Sequence, residues 1–278
     1  MCPQQVIMPG HKRLNTPPAV STPRGRRAVI TRRVVELFHR HRGFAGARTL
    51  WRDLRHEGIE VTVYGVRKIM AEQKLFTKYR TLRKRTTIPD PGVCTRKDLV
   101  HRNFSPAVPT TALCGDITYL RTPQGWMYLA MVMDMATRMI VGWQIADRMT
   151  TTLITDALDM AYRRGFVAGN AIFHSDRGSQ YTSQEFARYA RSIGVRLSVG
   201  KTGICWDNAV AESFFSTLKL HLLWERKQFP SKQDACFETG RWIETYYNRA
   251  RIHSATDQIP AEAMSLFLSP PQPQVQAA

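Results

Sequence analysis

The spacing of apolar positions changes period along the chain. Over residues 28–77 they recur every three or four residues, as on a helix face. In AVITRRVVELFHRH, Val34, Leu37 and Phe38 share one face, and Arg32, Arg33 and Arg40 fall outside it. Gly43 and Gly46 break the run. Ala47, Leu50, Trp51 and Leu54 then predict a helix over 47–56, with Gly58 as its stop. Thr62 is placed to cap a third helix, VYGVRKIMAEQKL, with Val66, Ile69 and Met70 inward. Two short helices joined by a glycine-containing turn are the layout of a helix-turn-helix. The second helix of that motif enters the major groove, so Arg67 and Lys68 would face DNA.

From Thr111 the texture becomes strand-like. ALCGDITYLRT, GWMYLAMVMDMA and RMIVGWQIAD are three apolar runs joined by short turns, an antiparallel meander. A helix follows in TTLITDALDMAYRRG, with Ile154, Ala157, Leu158 and Ala161 on one face. AIFHSD (171–176) is a short buried strand. Thr182 and Glu185 have the spacing of a capping box for SQEFARYARSIG. VRLSV (195–199) is a further strand, and a polar loop leads into the helix AVAESFFSTLKLHLL. This order predicts an α/β fold, a mixed sheet flanked by helices.

Five segments result: a disordered basic tail (1–27) marked by Pro3, Pro9, Pro17, Pro18 and Pro23; the helix-turn-helix domain (28–77); a basic linker (78–110) with Pro89, Pro91 and Gly92; the α/β domain with its C-terminal helix (111–265); and a disordered tail (266–278). Charge follows the same division. The net charge is +18, and residues 1–110 carry 23 Lys and Arg against 7 Asp and Glu, whereas residues 111–278 carry 17 against 15. A basic part joined to a nearly neutral one suggests a segment that holds nucleic acid and a separate working part. The five cysteines form no C-x-x-C pair or zinc-spaced cluster and read as free thiols. With no long apolar run and no secretory leader, the expected location is cytoplasmic.

The acids of the α/β domain divide into ordinary and odd positions. Asp156 and Asp159 sit on a helix facing solvent, and Asp134 and Asp207 suit turn-capping. Asp116 lies inside an apolar strand, where a carboxylate needs a cation or hydrogen-bond donors. Asp176 ends a buried strand, where α/β ligand sites gather. Glu212 starts an otherwise small and apolar helix. Converging, the three would offer a divalent ion the all-oxygen ligands that Mg²⁺ prefers.

GDITYL around Asp116, HSDRGSQYTS around Asp176 and CWDNAVAESFFSTLK around Glu212 together resemble bacterial insertion-sequence transposases with a retroviral-integrase-like core, more narrowly their second-frame (OrfB) type. Thirty-five residues separate Asp176 from Glu212, the spacing of that family's acidic signature. Lys219, two helical turns beyond Glu212, matches a basic position used on DNA, and YYNRARIHSATDQIPAE resembles the family's C-terminal motif. The chain departs from the pattern at Leu113, Cys114 and Gly115, where the family usually has Trp and a small or β-branched residue, and at Ile252, where it has Pro.

The resemblance implies a ribonuclease H-like fold and an enzyme in which Asp116, Asp176 and Glu212 hold two Mg²⁺ ions, with Mn²⁺ able to substitute. It implies nicking at element ends, followed by attack of the freed 3′-hydroxyl on target DNA. It also implies a DNA-bound homo-oligomer, an upstream-frame OrfA-type partner or fusion, and association with the nucleoid. His174, Arg177 and Gln180 are candidates to orient Asp176 or to touch DNA, Asn208 to contact DNA from the Glu212 face or to cap the helix, and Trp206 to stack on a base or anchor its loop. Tyr247, Asn248 and Arg251 read as local packing. Two alternatives stay open: a ribonuclease H-like nuclease that does not join, and a DNA-binding transposition repressor with a dead core.

Overall fold

The computed structural model describes residues 23–78, 98–101, 103–200 and 209–269. These fall into two compact units, divided in the chain after Lys78.

The first unit is three helices, α1 (Pro23–Arg40), α2 (Ala47–His56) and α3 (Val63–Glu72). Its core is built from the predicted faces: Val34, Leu37 and Phe38 of α1, Leu50 and Leu54 of α2, and Val66, Ile69 and Met70 of α3. α1 starts five residues before the expected point, inside the stretch read as disordered. Proline is tolerated in a first helical turn, where its missing N–H has no helical partner to lose. The Thr62 hydroxyl accepts from Gly65 N at 3.0 Å, the expected cap of α3. Beneath the helices, His41 Nε2 and the Asp53 carboxylate lie 2.7 Å apart, both almost fully buried. The Trp51 indole donates to Val61 O and so holds the α2–α3 turn.

The second unit runs β1 (Ala112–Thr122), β2 (Gly125–Asp134), β3 (Ile140–Ala146), α4 (Thr151–Arg163), β4 (Ile172–Ser175), α5 (Ser179–Thr182), α6 (Gln184–Ser192), β5 (Arg196–Val199), α7 (Ala209–Leu223), α8 (Lys232–Arg241), a π-helical turn (Trp242–Tyr247) and α9 (Pro260–Leu268). The sheet order is β3-β2-β1-β4-β5. The first three strands form the predicted antiparallel meander, and β4 and β5 add to β1 in parallel. This is the expected ribonuclease H-like mixed sheet flanked by helices.

Period-two alternation gives the sheet two apolar faces. Leu113, Ala130, Val132 and Val141 pack on α4 and α6 with Phe173 and Phe186. Cys114, Leu129, Met131 and Met133 pack on α7, α8 and the π-helical turn, through Ala211, Phe214, Leu218, Trp242 and Ile243. α4 comes so close that a Cβ on Gly142 would stand 2.0 Å from Ala157 O.

Further boundaries differ from the sequence reading. The last part of the presumed linker belongs to this unit: Leu99 N donates to Ser198 Oγ at 2.9 Å, Val100 is buried, and Arg138 donates to Phe104 O at 2.9 Å. At the other end of that linker, Lys78 N bonds Gly43 O in the first unit. Ser183, not Thr182, caps α6, accepting from Phe186 N; Thr182 closes α5 and its hydroxyl bonds back to Gly178 O and Ser179 O. α9 reaches Leu268, past the point where a disordered tail was expected. The disorder expected for residues 1–22 and 270–278 lies outside the described residues. No helix among the described residues is long and apolar enough to cross a membrane.

Candidate active site

β1 is the central strand and outruns β4. Their register ends at Gly115↔Ser175, so Asp116 continues along β1 while Asp176 is the first residue past the end of the neighbouring parallel β4. Alternation sets Asp116 on the face of Cys114 and Leu120, the face that α7 covers. Asp116 is half-buried and its Oδ1 accepts from Ile117 N at 2.7 Å. Asp176 is exposed and its Oδ1 accepts from Gly178 N at 2.9 Å, an Asx turn that leads into α5.

One hydroxyl senses both acids. Tyr181, buried in α5, has its phenol pushed well above its ordinary range by burial first, then by Asp116 and Asp176. Cys114, one position before Gly115, has its thiol pushed up to about 12 by burial, with Arg138 opposing and Asp116 reinforcing. A thiol held protonated is a poor nucleophile. Aromatic packing fixes this corner: Phe173 lies 6.0 Å from Tyr181 and 5.4 Å from Phe186, ring to ring. Phe173 also leaves no room for a side chain at position 115. A Cβ on Gly115 would stand 2.2 Å from its Cζ.

Glu212 lies exposed in the first turn of α7, whose Ala211, Phe214 and Leu218 pack on the β1 face. Among the described residues no three His, Cys, Asp or Glu side chains are gathered closely enough to hold a metal. The structure therefore brings Asp116 and Asp176 together and does not gather Glu212 with them. Lys219 is half-buried on α7. Asn208, Asp207 and Trp206 lie outside the described residues.

The other candidates separate by their contacts. Arg177 Nε donates to Gly200 O at 3.1 Å, and Gln180 Nε2 to Met149 O at 3.3 Å, tying the loop after β4 to its surroundings. His174 is buried, its Nδ1 2.9 Å from Ser198 Oγ across β4 and β5. Asp134 is fully buried and accepts from Thr110 N, Thr137 N and Thr137 Oγ1, which makes it the anchor of a turn, as expected. Arg251 lies over the Tyr247 ring, a local contact as expected, whereas Asn248 pairs with Ile140 N and Ile140 O on β3, far away in the chain. In the first unit, Arg67 and Lys68 are exposed on α3. Sequence reasoning missed Phe173, Gly178 and Tyr181. The signal was a glycine two residues after Asp176, the spacing of an Asx turn.

Two family models described as "Integrase core domain" match residues 106–205 and 193–260, and one described as "HTH-like domain" matches residues 26–85. The chain is 36% identical over 223 residues to a Mycobacterium tuberculosis protein named for the transposase of insertion sequence element IS986/IS6110, covering 78% of this chain and 80% of the relative. The chain belongs to the insertion-sequence transposases. It is also 32% identical to the transposase for insertion sequence element IS904 of Lactococcus lactis, covering 83% of this chain and 91% of that one. With transposase InsF for insertion sequence IS3A of Escherichia coli, identity is 35%, covering 80% and 76%. Among solved structures, the HTLV-2 integrase catalytic core domain in complex with magnesium aligns at a TM-score of 0.43 with 15% identity, covering 56% of this chain and 96% of that one. A simian T-cell lymphotropic virus intasome chain aligns at 0.49 with 16% identity, covering 88% and 78%.

Proposed function

We propose that the chain is a metal-dependent DNA transposase that nicks the 3′ ends of its insertion sequence and joins them to target DNA. The observation that carries this reading is the β1–β4 register, which sets Asp116 beside Asp176 at the open end of the central strands. The donors are all carboxylate oxygens, a set that fits a hard dication such as Mg²⁺, or Mn²⁺ in its place. Asp116, Asp176 and Glu212 would hold two such ions, with α7 supplying the third carboxylate. Bound there, the ions would neutralise charge on the attacking and leaving oxygens of an in-line displacement.

The rest follows from the chain's own side chains. Asp116 Oδ1 accepts from Ile117 N and Asp176 Oδ1 from Gly178 N, contacts that orient the two carboxylates. The Tyr181 hydroxyl is kept protonated by burial first and then by the charges of Asp116 and Asp176. In nicking, water forms a new P–O bond and the 3′-oxygen leaves. In joining, that 3′-hydroxyl attacks a target phosphate and a target oxygen leaves, so one site serves both steps by positioning. No covalent enzyme intermediate is needed. Lys219, on the helix of Glu212, would hold a phosphate close to the reacting one, with Arg177 and Asn208 as further contacts. Arg67 and Lys68 would grip duplex DNA from α3. Pairing two ends calls for a homo-oligomer on DNA, and an upstream-frame protein or fusion would add end recognition; the nucleoid is where such a complex would work.

The test is a nicking and joining assay on labelled element-end duplex with Mg²⁺, comparing the wild type with Asp176→Asn. Metal-dependent joined product, lost in the variant while DNA binding is kept, supports the reading. A wild type that nicks without joining is a nuclease, and one that binds without reacting is a DNA-binding protein with a dead core.

A further inference from the structure

The β1–β2 hairpin carries an aromatic cluster that the fold does not cover. Tyr119 is 43% exposed and Trp126 51%, although large rings are normally drawn into a core. The register pairs Tyr119 with Tyr128 and Arg121 with Trp126 across the two strands. Ring centroids lie 5.3 Å apart for Tyr119–Tyr128 and 6.1 Å for Tyr119–Trp126, with interplanar angles of 62° and 80°. The contacts are edge to face, and Tyr119 and Trp126 each keep about half of their surface open to solvent. Arg121 and Arg148 are both exposed, and neither is paired with a carboxylate among the described residues. Arg148 stands two positions past Ala146, the β3 register partner of Tyr128. The neighbouring acid, Asp147, is engaged by Lys232 Nζ at 3.7 Å.

We infer that Tyr119, Trp126 and Tyr128, flanked by Arg121 and Arg148, form a stacking platform for unpaired bases of single-stranded DNA. Exposed aromatic faces interleaved with unpaired cations are what a single strand requires, rings for the bases and guanidinium groups for the phosphates. An aliphatic protein-docking patch would need neither. The inference rests on the proposed function for DNA as the ligand. Tyr119 is three residues along β1 from Asp116, an odd step that puts the rings on the opposite face of the sheet from that carboxylate. The platform would therefore hold an unpaired strand apart from the reacting phosphate. Cross-strand aromatic pairs can also simply stabilise a hairpin, so the test must separate stacking from folding.

The experiment is equilibrium binding of the full chain to a labelled oligothymidylate and to a duplex of equal length. Trp126→Ala and Tyr119→Ala should each weaken single-strand binding about tenfold, with duplex affinity and melting temperature unchanged. Trp126→Phe, which keeps a ring, should restore most of the loss. Equal weakening of both DNA forms, no weakening, or a loss confined to self-association would overturn the platform; the last would mark the patch as a protein interface. The catalytic reading fails separately, by the absence of metal-dependent joining in the wild type, whatever the single-strand result.

Discussion

Replacing Gly115 by alanine adds one methyl group where Phe173 already stands, 2.2 Å from its Cζ. The backbone at position 115 is not left-handed, so the effect is steric alone. The ring has nowhere cheap to go: Phe173 is 1% exposed and packed on Tyr181 and Phe186. Overpacking of a tight core costs about 1–3 kcal/mol. Taking about 2 kcal/mol, the melting temperature of a unit this size drops by roughly 4–8 °C. Joining activity should fall as well, because the displaced ring packs on Tyr181, whose hydroxyl lies in the field of Asp116 and Asp176. A double-mutant cycle isolates the cause. Phe173→Leu removes the clashing atom at about 1 kcal/mol of its own, so Gly115→Ala should cost at least about 1 kcal/mol less in that background. Urea denaturation of the four proteins reads this directly. A neutral Gly115→Ala, or strictly additive losses, would refute the claim that Phe173 dictates glycine here.

Other expectations follow from single sites. Asp134→Ala strands three donors in the interior and should cost about 3 kcal/mol or more by urea denaturation; an unchanged midpoint would show that the carboxylate is dispensable. Burial, then Arg251 and Arg138, push His253 down to about 3, and its Nδ1 accepts from Ala255 N. Between that value and the ordinary 6.5 the unfolded chain takes up a proton that the folded chain refuses, so stability falls as pH drops through this window, by up to about 1.4 kcal/mol per pH unit. His253→Asn should flatten that part of the profile, and an identical profile in the variant would count against it. Arg67→Ala and Lys68→Ala should each weaken duplex binding and reduce the salt dependence by about one counterion; binding with an unaltered salt slope would remove that residue from the interface.

The long, regular elements were legible in the sequence. β1 and α7 begin and end where their residues predict, because alternation in one and a continuous apolar helix in the other leave little room for another reading. α8 was not legible. It buries Ala235, Thr239 and Gly240 while Phe237 is 65% exposed, so its packing face is made by smallness, and a Cβ on Gly240 would meet the Trp143 ring at 2.5 Å. The α6 cap slipped by one residue because two hydroxyl residues are adjacent and α5 takes the first of them. At the site, Asp116 was legible from the cost of an acid in an apolar strand, and Asp176 from its place at a strand end. Tyr181 and Phe173 were not, since they act through packing that depends on register. Glu212 was legible chiefly through its spacing, and the fold alone does not draw it to the aspartates.

Glu212 is therefore where the account is tested most directly. The measurement is the rate of Mg²⁺-dependent joining for Asp116→Asn, Asp176→Asn, Glu212→Gln and the triple variant, each checked for folding and DNA binding. If the three carboxylates act as one set, each single change abolishes nearly all joining and the triple variant is little worse than any single one, because residues that work as a unit are not additive. Appreciable joining by Glu212→Gln, or losses that multiply across the three positions, would contradict a shared three-carboxylate site.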